Sequence, residues 1–161
     1  MKKYKWLVIG LNLVLLLIFF NFSVVQKEAI LSTGKLVLLE LAPLDPRSLM
    51  QGDYMALRYG ISQGINLDSI PKRGFCVVTL QANSVAEKVR LQTEKTPLNA
   101  NEYLIAYTSG AWTVNIGAES YFFQEGKAEK YSKAKYGGIR IDKDGNSVLI
   151  GLYDEFFKKI N

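Results

Sequence analysis

The chain opens with one dense apolar block and then changes rhythm. From Trp6 to Val25 the run WLVIGLNLVLLLIFFNFSVV carries no charge. At 1.5 Å per residue in an α-helix it covers about 30 Å, the hydrocarbon thickness of a bilayer. The pattern predicts a transmembrane anchor over residues 6–25. Gln26–Thr33 (QKEAILST) is expected to continue that helix as a connector over residues 26–34, with Gly34 as its C-cap.

Beyond Gly34 the apolar positions come in strand-length bursts. Lys35–Leu41 (KLVLLEL) is an apolar run closed by Ala42-Pro43. Asp45-Pro46 suits an N-cap and first helical position, so one helical turn is expected before Gly52-Asp53. Tyr54–Ile61 (YMALRYGI) alternates large and small side chains as a strand does. Gly64–Arg73 reads as loop. Gly74–Gln81 and Ala86–Thr93 form a predicted hairpin, and Glu102–Thr108, Trp112–Ile116 and Glu119–Gln124 continue the β pattern. Gly126–Lys135 is rich in helix formers. Gly138–Asp142 and Ser147–Tyr153 close the chain as a hairpin, since Asp144-Gly145 between alternating strands is the strongest short-range hairpin signal.

The expectation is a mainly β protein. A transmembrane helix precedes one antiparallel β-rich domain over residues 35–161, barrel-like or a curled sheet, with two short helices. No βαβ rhythm, internal repeat or low-complexity tract interrupts it.

Charge refines the placement. The chain carries +5 in total, but Lys2, Lys3 and Lys5 precede the apolar block and no acid occurs before Glu28. The positive-inside rule therefore predicts that residues 1–5 form a cytoplasmic tail and that the domain is extracytoplasmic, on a single-pass protein of the cytoplasmic membrane. The remaining near-neutral domain has no field suited to gathering phosphate backbones, which argues against nucleic acid. A cleaved signal peptide is the competing reading. Its apolar core is shorter, and it ends in an A-x-A-like site that Phe22-Ser23-Val24-Val25-Gln26 lacks, so an uncleaved signal anchor is expected.

The chain has no histidine and one cysteine, Cys76, in the apolar run Phe75-Cys76-Val77-Val78. An internal disulfide is impossible, and Cys76 is expected to be a small buried hydrophobe. No cofactor, metal or catalytic residue is assigned. Asp142-Lys143-Asp144-Gly145-Asn146 resembles the start of a calcium loop but lacks its closing Glu, so the turn reading is preferred.

The densest polar cluster runs from Asp45 to Tyr59. Asp45, Arg47, Gly52, Asp53, Tyr54, Leu57, Arg58 and Tyr59 fall around a tight Pro–Gly corner and form the candidate recognition corner. Its architectural reading has Asp45 capping a turn and Arg47 or Arg58 pairing with Asp53. Its functional reading uses the arginines as forks for carboxylate or phosphate. A secondary candidate patch is Glu119, Tyr121 and Glu125, which a strand over 119–124 would bring to one face.

Gly52-Asp53-Tyr54-Met55-Ala56-Leu57-Arg58-Tyr59 resembles, letter for letter, the motif of the membrane-anchored family named for GDYxxLxY. Asp45-Pro46-Arg47, Tyr121-Phe122-Phe123-Gln124-Glu125-Gly126 and the Asp144-Gly145 hairpin with Leu149-Ile150-Gly151-Leu152 look like the same family. The resemblance implies a bacterial, membrane-anchored protein of unestablished function. It further implies a gene neighbourhood containing multi-spanning membrane proteins, one of which is a possible partner besides the lipid bilayer.

Two function classes follow. The preferred one is a non-enzymatic accessory or binding module at the outer face of the membrane, working with a membrane-protein partner. The alternative is an envelope hydrolase, carboxylate-based or similar to a type I signal peptidase. Ser48 ahead of Gly52-Asp53 echoes the latter, but the spacing is too short and the available lysine, Lys72, is predicted in a loop rather than within about 3 Å of the serine.

Overall fold

The computed structural model describes residues 2–42, 50–51, 54–110, 113–124 and 126–160. Asp45, Arg47, Gly52 and Asp53, the helical turn expected at Asp45-Pro46, Ser48 and Glu125 lie outside the described residues.

One unbroken helix, α1 (Lys2–Thr33), contains the whole apolar block and the expected continuation. It is long and apolar enough to cross a membrane, and its most apolar stretch is left uncovered by the other described residues. Leu11, Leu16, Phe19 and Phe20 all stand exposed. Among the described residues its last two turns are what touches the domain. Ile30 is buried, and the Lys27 ammonium donates to the Ser147 carbonyl at 3.4 Å. The Gly34 amide donates to the Ile30 carbonyl at 2.9 Å, so the helical bonding reaches Gly34 itself. The Arg140 guanidinium then donates to the Gly34 carbonyl at 2.9 Å. Gly34 has no positive φ, so its role is clearance rather than the left-handed cap expected from the sequence. A Cβ there would collide with the Ile30 carbonyl and lie 3.0 Å from that of Ile141.

The described part of the domain is built from three antiparallel sheets. In the first, β1 (Lys35–Glu40) and β10 (Ser147–Tyr153) flank β9 (Tyr136–Ile141). The second comprises β4 (Arg73–Leu80), β5 (Ala86–Gln92), β6 (Glu102–Ser109) and β7 (Val114–Asn115), in the order β5-β4-β6-β7. The third has β3 (Tyr54–Ala56) between β2 (Met50–Gln51) and β8 (Ser120–Phe122). A single turn of helix, α2 (Ala128–Tyr131), is all that forms within the helix-rich segment predicted at 126–135.

Edge-to-edge hydrogen bonds join the sheets. Leu38 in β1 donates to the Ser84 carbonyl in the β4–β5 turn, and Ala106 in β6 donates to the Gly145 carbonyl at the β9–β10 turn, each at 2.8 Å. Leu41 bridges to Tyr59. The result is a curled arrangement that does not close into a barrel. Val37, Leu39, Val78, Ile105, Ile139 and Leu152 form the centre of its core, each sealed from water. Cys76 lies in the same core, where burial pushes its thiol up to about 11 against a small opposing effect of Lys88.

The closing hairpin forms as the Asp-Gly signal predicts. One Asp142 carboxylate oxygen accepts the Asp144 and Asn146 amides, each at 2.9 Å, and the other accepts the Asn146 side chain at 2.8 Å. Gly145 takes φ +85°, a value that favours glycine. Both Asp142 oxygens thus serve the turn, which accounts for the Asp-rich sequence without a cation.

The strand expected over Tyr54–Ile61 is shorter. It pairs with β8 only through Ala56, after which the chain changes partner. Leu57 donates to the Glu119 carbonyl at 2.7 Å, and the Arg58 carbonyl accepts from Ala42 at 2.8 Å at the end of β1. Gly60–Ser62 then coils into a 3-10 turn. Side-chain alternation persists throughout, with Met55, Leu57, Tyr59 and Ile61 buried and Ala56, Arg58 and Gly60 exposed.

Candidate functional site

The motif corner and the Glu119–Tyr121 patch, treated separately from sequence, form one unit. β3 lies directly on β8, with Tyr54 opposite Phe122, Met55 opposite Tyr121 and Ala56 opposite Ser120. The Tyr54 and Phe122 rings stack at 5.8 Å, and Phe122 is 74% exposed. Glu119, Tyr121 and Phe123 turn inward while Ser120, Phe122 and Gln124 turn outward. The shared face expected for Glu119 and Tyr121 therefore exists, although only Tyr121 belongs to β8.

Each inward group holds structure. Leu57 is 3% exposed and packs in the core. Tyr59 is sealed, its hydroxyl donating to the Ala118 carbonyl at 2.5 Å. Burial pushes its hydroxyl far above the usual phenol range, and the neighbouring Glu119 carboxylate adds to the effect. The Glu119 carboxylate itself accepts the Ile116 amide. Tyr121 packs edge-on against Tyr131 at 5.1 Å, and burial, assisted by Tyr131, raises its hydroxyl to about 12. These groups tie backbone segments together, and burial holds the Tyr59 and Tyr121 hydroxyls in their protonated form near neutral pH.

Arg58 differs: it is exposed. It lines a concavity of about 540 Å³ with Tyr59, Ser62, Gln63, Ile65 and Thr113, and it is the one cation among these lining groups. The fork geometry of arginine suits a carboxylate or phosphate presented there. Lys72 is an exposed residue just ahead of β4, in the loop position predicted for it.

Sequence reasoning missed a second polar cluster. Arg90 grips Glu102 with both terminal nitrogens, at 2.6 and 2.8 Å. The Asn99 amide and side chain also donate to Glu102, at 3.0 and 2.9 Å, and Arg90 reaches the Pro97 carbonyl at 2.9 Å. The Arg90 bond, then the Asn99 amide, hold the Glu102 carboxyl down at about 2. This clamp fixes the loop between β5 and β6. Its only sequence signal is an acid opening an otherwise apolar strand, Glu102-Tyr103-Leu104-Ile105.

A family model described as GDYXXLXY protein matches residues 16–152. The chain belongs to the GDYXXLXY family. The match begins inside α1 and ends in β10, so it takes in the C-terminal half of that helix, the motif and nearly the whole domain. No match was found among curated proteins or among solved structures. Seen in the fold, Leu57 and Tyr59, two of the fixed positions of the family's namesake motif, are core residues, while Arg58, at the unspecified position between them, is exposed.

Proposed function

We propose that this GDYXXLXY protein is a membrane-anchored accessory module at the outer face of the bacterial cytoplasmic membrane. It binds a membrane-protein partner rather than catalysing a reaction. The observation that carries this reading is the exposed apolar surface of α1, which has no cover among the described residues and runs without a break into the domain. Exposed apolar surface on that scale requires lipid or a partner. Lys2, Lys3 and Lys5 argue for a cytoplasmic N-terminus. Tethering supports function through weak contacts, because a neighbour in the same membrane is met at high effective concentration.

Arg58 is the proposed contact for an acidic group on that partner, since it combines exposure with an adjoining concavity. The test is an affinity capture of the full chain from native membranes, beside the Arg58→Glu variant. A constant membrane-protein companion that survives alkaline carbonate washing with the wild type and is lost with Arg58→Glu supports the proposal. Release of the chain by carbonate, or protease access to a C-terminal tag only from the cytoplasmic side, overturns it.

A further inference from the structure

α1 carries two side-chain amides within its apolar stretch, Asn12 and Asn21. The Asn21 amide donates to the Leu17 carbonyl at 2.8 Å, and with Trp6–Val25 across the hydrocarbon it lies about 6 Å from the outer boundary. Asn12 lies deeper, about 9 Å inside the Trp6 end, and is exposed on the helix surface. Its side chain makes no hydrogen bond among the described residues. The oxygen finds no donor within α1, because each amide of the helix interior is already engaged by the carbonyl four residues back. In hydrocarbon an unpaired amide oxygen is costly, and this side chain is too short to carry it to water. A donor has to come from another helix.

The domain sits on the same side of the helix. Ile30 follows Asn12 by about 18 residues, close to five turns of 3.6 residues each, so the two lie on one face. At Ile30 that face is covered. Ile30 is 5% exposed, and Asp142, Asp144 and Asn146 of the β9–β10 turn line a crevice of about 240 Å³ with Lys27, Ala29 and Ile30. Nearer the N-terminus the face is bare. Val8, Leu15 and Phe19, within two turns of Asn12, are 60%, 57% and 76% exposed. A helix packed on Asn12 therefore stands beneath the overhang of the domain. The overhang decides which helix fits. Packed helix axes lie about 8–10 Å apart, and a parallel second copy would turn its own Ile30 face, with its own β9–β10 turn, toward the first helix. Both turns would then need the space between the axes, which the helices themselves fill. A helix that stops at the membrane surface meets no such obstacle.

We infer that the face of α1 bearing Val8, Asn12 and Phe19 docks a transmembrane helix of a different membrane protein. That helix ends beneath the domain and presents a side-chain donor to Asn12, either a Ser or Thr hydroxyl or an Asn or Gln amide. The inference rests on the anchored reading above. The apolar flanks supply van der Waals contact, and Asn12 fixes depth and register, because its hydrogen bond is lost when the partner slides by a turn.

The test uses the full chain in native membranes, with photoreactive benzoylphenylalanine in place of Phe19 on the Asn12 face or of Val14 on the opposite one. The expected result is an adduct at position 19 and not at 14, whose partner peptide maps to a transmembrane segment of another protein carrying Ser, Thr, Asn or Gln. Asn12→Leu should lower the yield about 3–20-fold, the range for a single interhelical hydrogen bond, while Asn12→Gln keeps most of it. An adduct with a second copy of the chain overturns the choice of partner. Adducts to lipid alone, equal yields at 19 and 14, or a yield that Asn12→Leu leaves unchanged overturn the docking face and leave the anchor intact. Release of the chain by alkaline carbonate overturns the anchored reading, and the docking face with it.

Discussion

The Tyr59 hydroxyl donates to the Ala118 carbonyl at 2.5 Å, joining the last position of the GDYXXLXY motif to the segment that leads into β8. The same ring packs against Gly137 in β9, where an added Cβ would come within 2.7 Å of Tyr59 Cε1. One side chain thereby holds elements from two sheets in register.

Tyr59→Phe is expected to destabilise the fold by about 1–3 kcal/mol, because it leaves the Ala118 carbonyl buried and unpaired. Chemical denaturation of the full chain in detergent measures this. An unchanged midpoint would remove Tyr59 from the structural account of the motif.

Tyr107→Phe should do the opposite. The Tyr107 hydroxyl is buried beside Gly74 without a hydrogen-bond partner among the described residues. Deleting an unsatisfied polar atom is expected to be neutral or to stabilise by up to about 1 kcal/mol. A loss comparable to that of Tyr59→Phe would mean that the hydroxyl has a partner after all.

Acid should loosen the domain through Glu102. Its carboxyl titrates at about 2 in the fold against an ordinary 4.5. Because the folded value is the lower one, the stabilisation is complete above about pH 4.5 and is lost as pH falls from there toward 2. Arg90→Gln should flatten that part of the pH profile of the denaturation midpoint. A profile unchanged by the substitution would separate the clamp from acid stability.

Gly34→Val is expected to break the seam between helix and domain, since the new side chain meets the Ile30 and Ile141 carbonyls. Overpacking of this kind costs about 1–3 kcal/mol. The readout is proteolysis of the chain in detergent, with new cleavage near Gly34 and an intact domain fragment. Wild-type resistance retained in the variant would show that the seam tolerates bulk.

The long apolar helix, the curled β domain and the closing hairpin were legible because each has a local cause. These are an uncharged run of membrane length, alternation, and an Asp-Gly turn with Asp142 ready to cap it. Tyr54–Ile61 shows where local reading stops. Its alternation correctly sorted Met55, Leu57, Tyr59 and Ile61 from Ala56 and Arg58, because inward and outward positions follow from extended backbone alone. The exchange of partners after Ala56, from β8 to the end of β1, depends on distant segments that leave no mark in the octapeptide itself. The joining of the motif to Glu119 and Tyr121 is illegible for the same reason, as is the grip of Arg90 on a carboxylate beyond a long loop.

With no slack at Gly34, the domain has little freedom to swivel on its stalk. Were α1 and the first sheet to turn as one piece through the Gly34 contacts, a lean imposed on α1 would reappear at the Tyr153 end of β10.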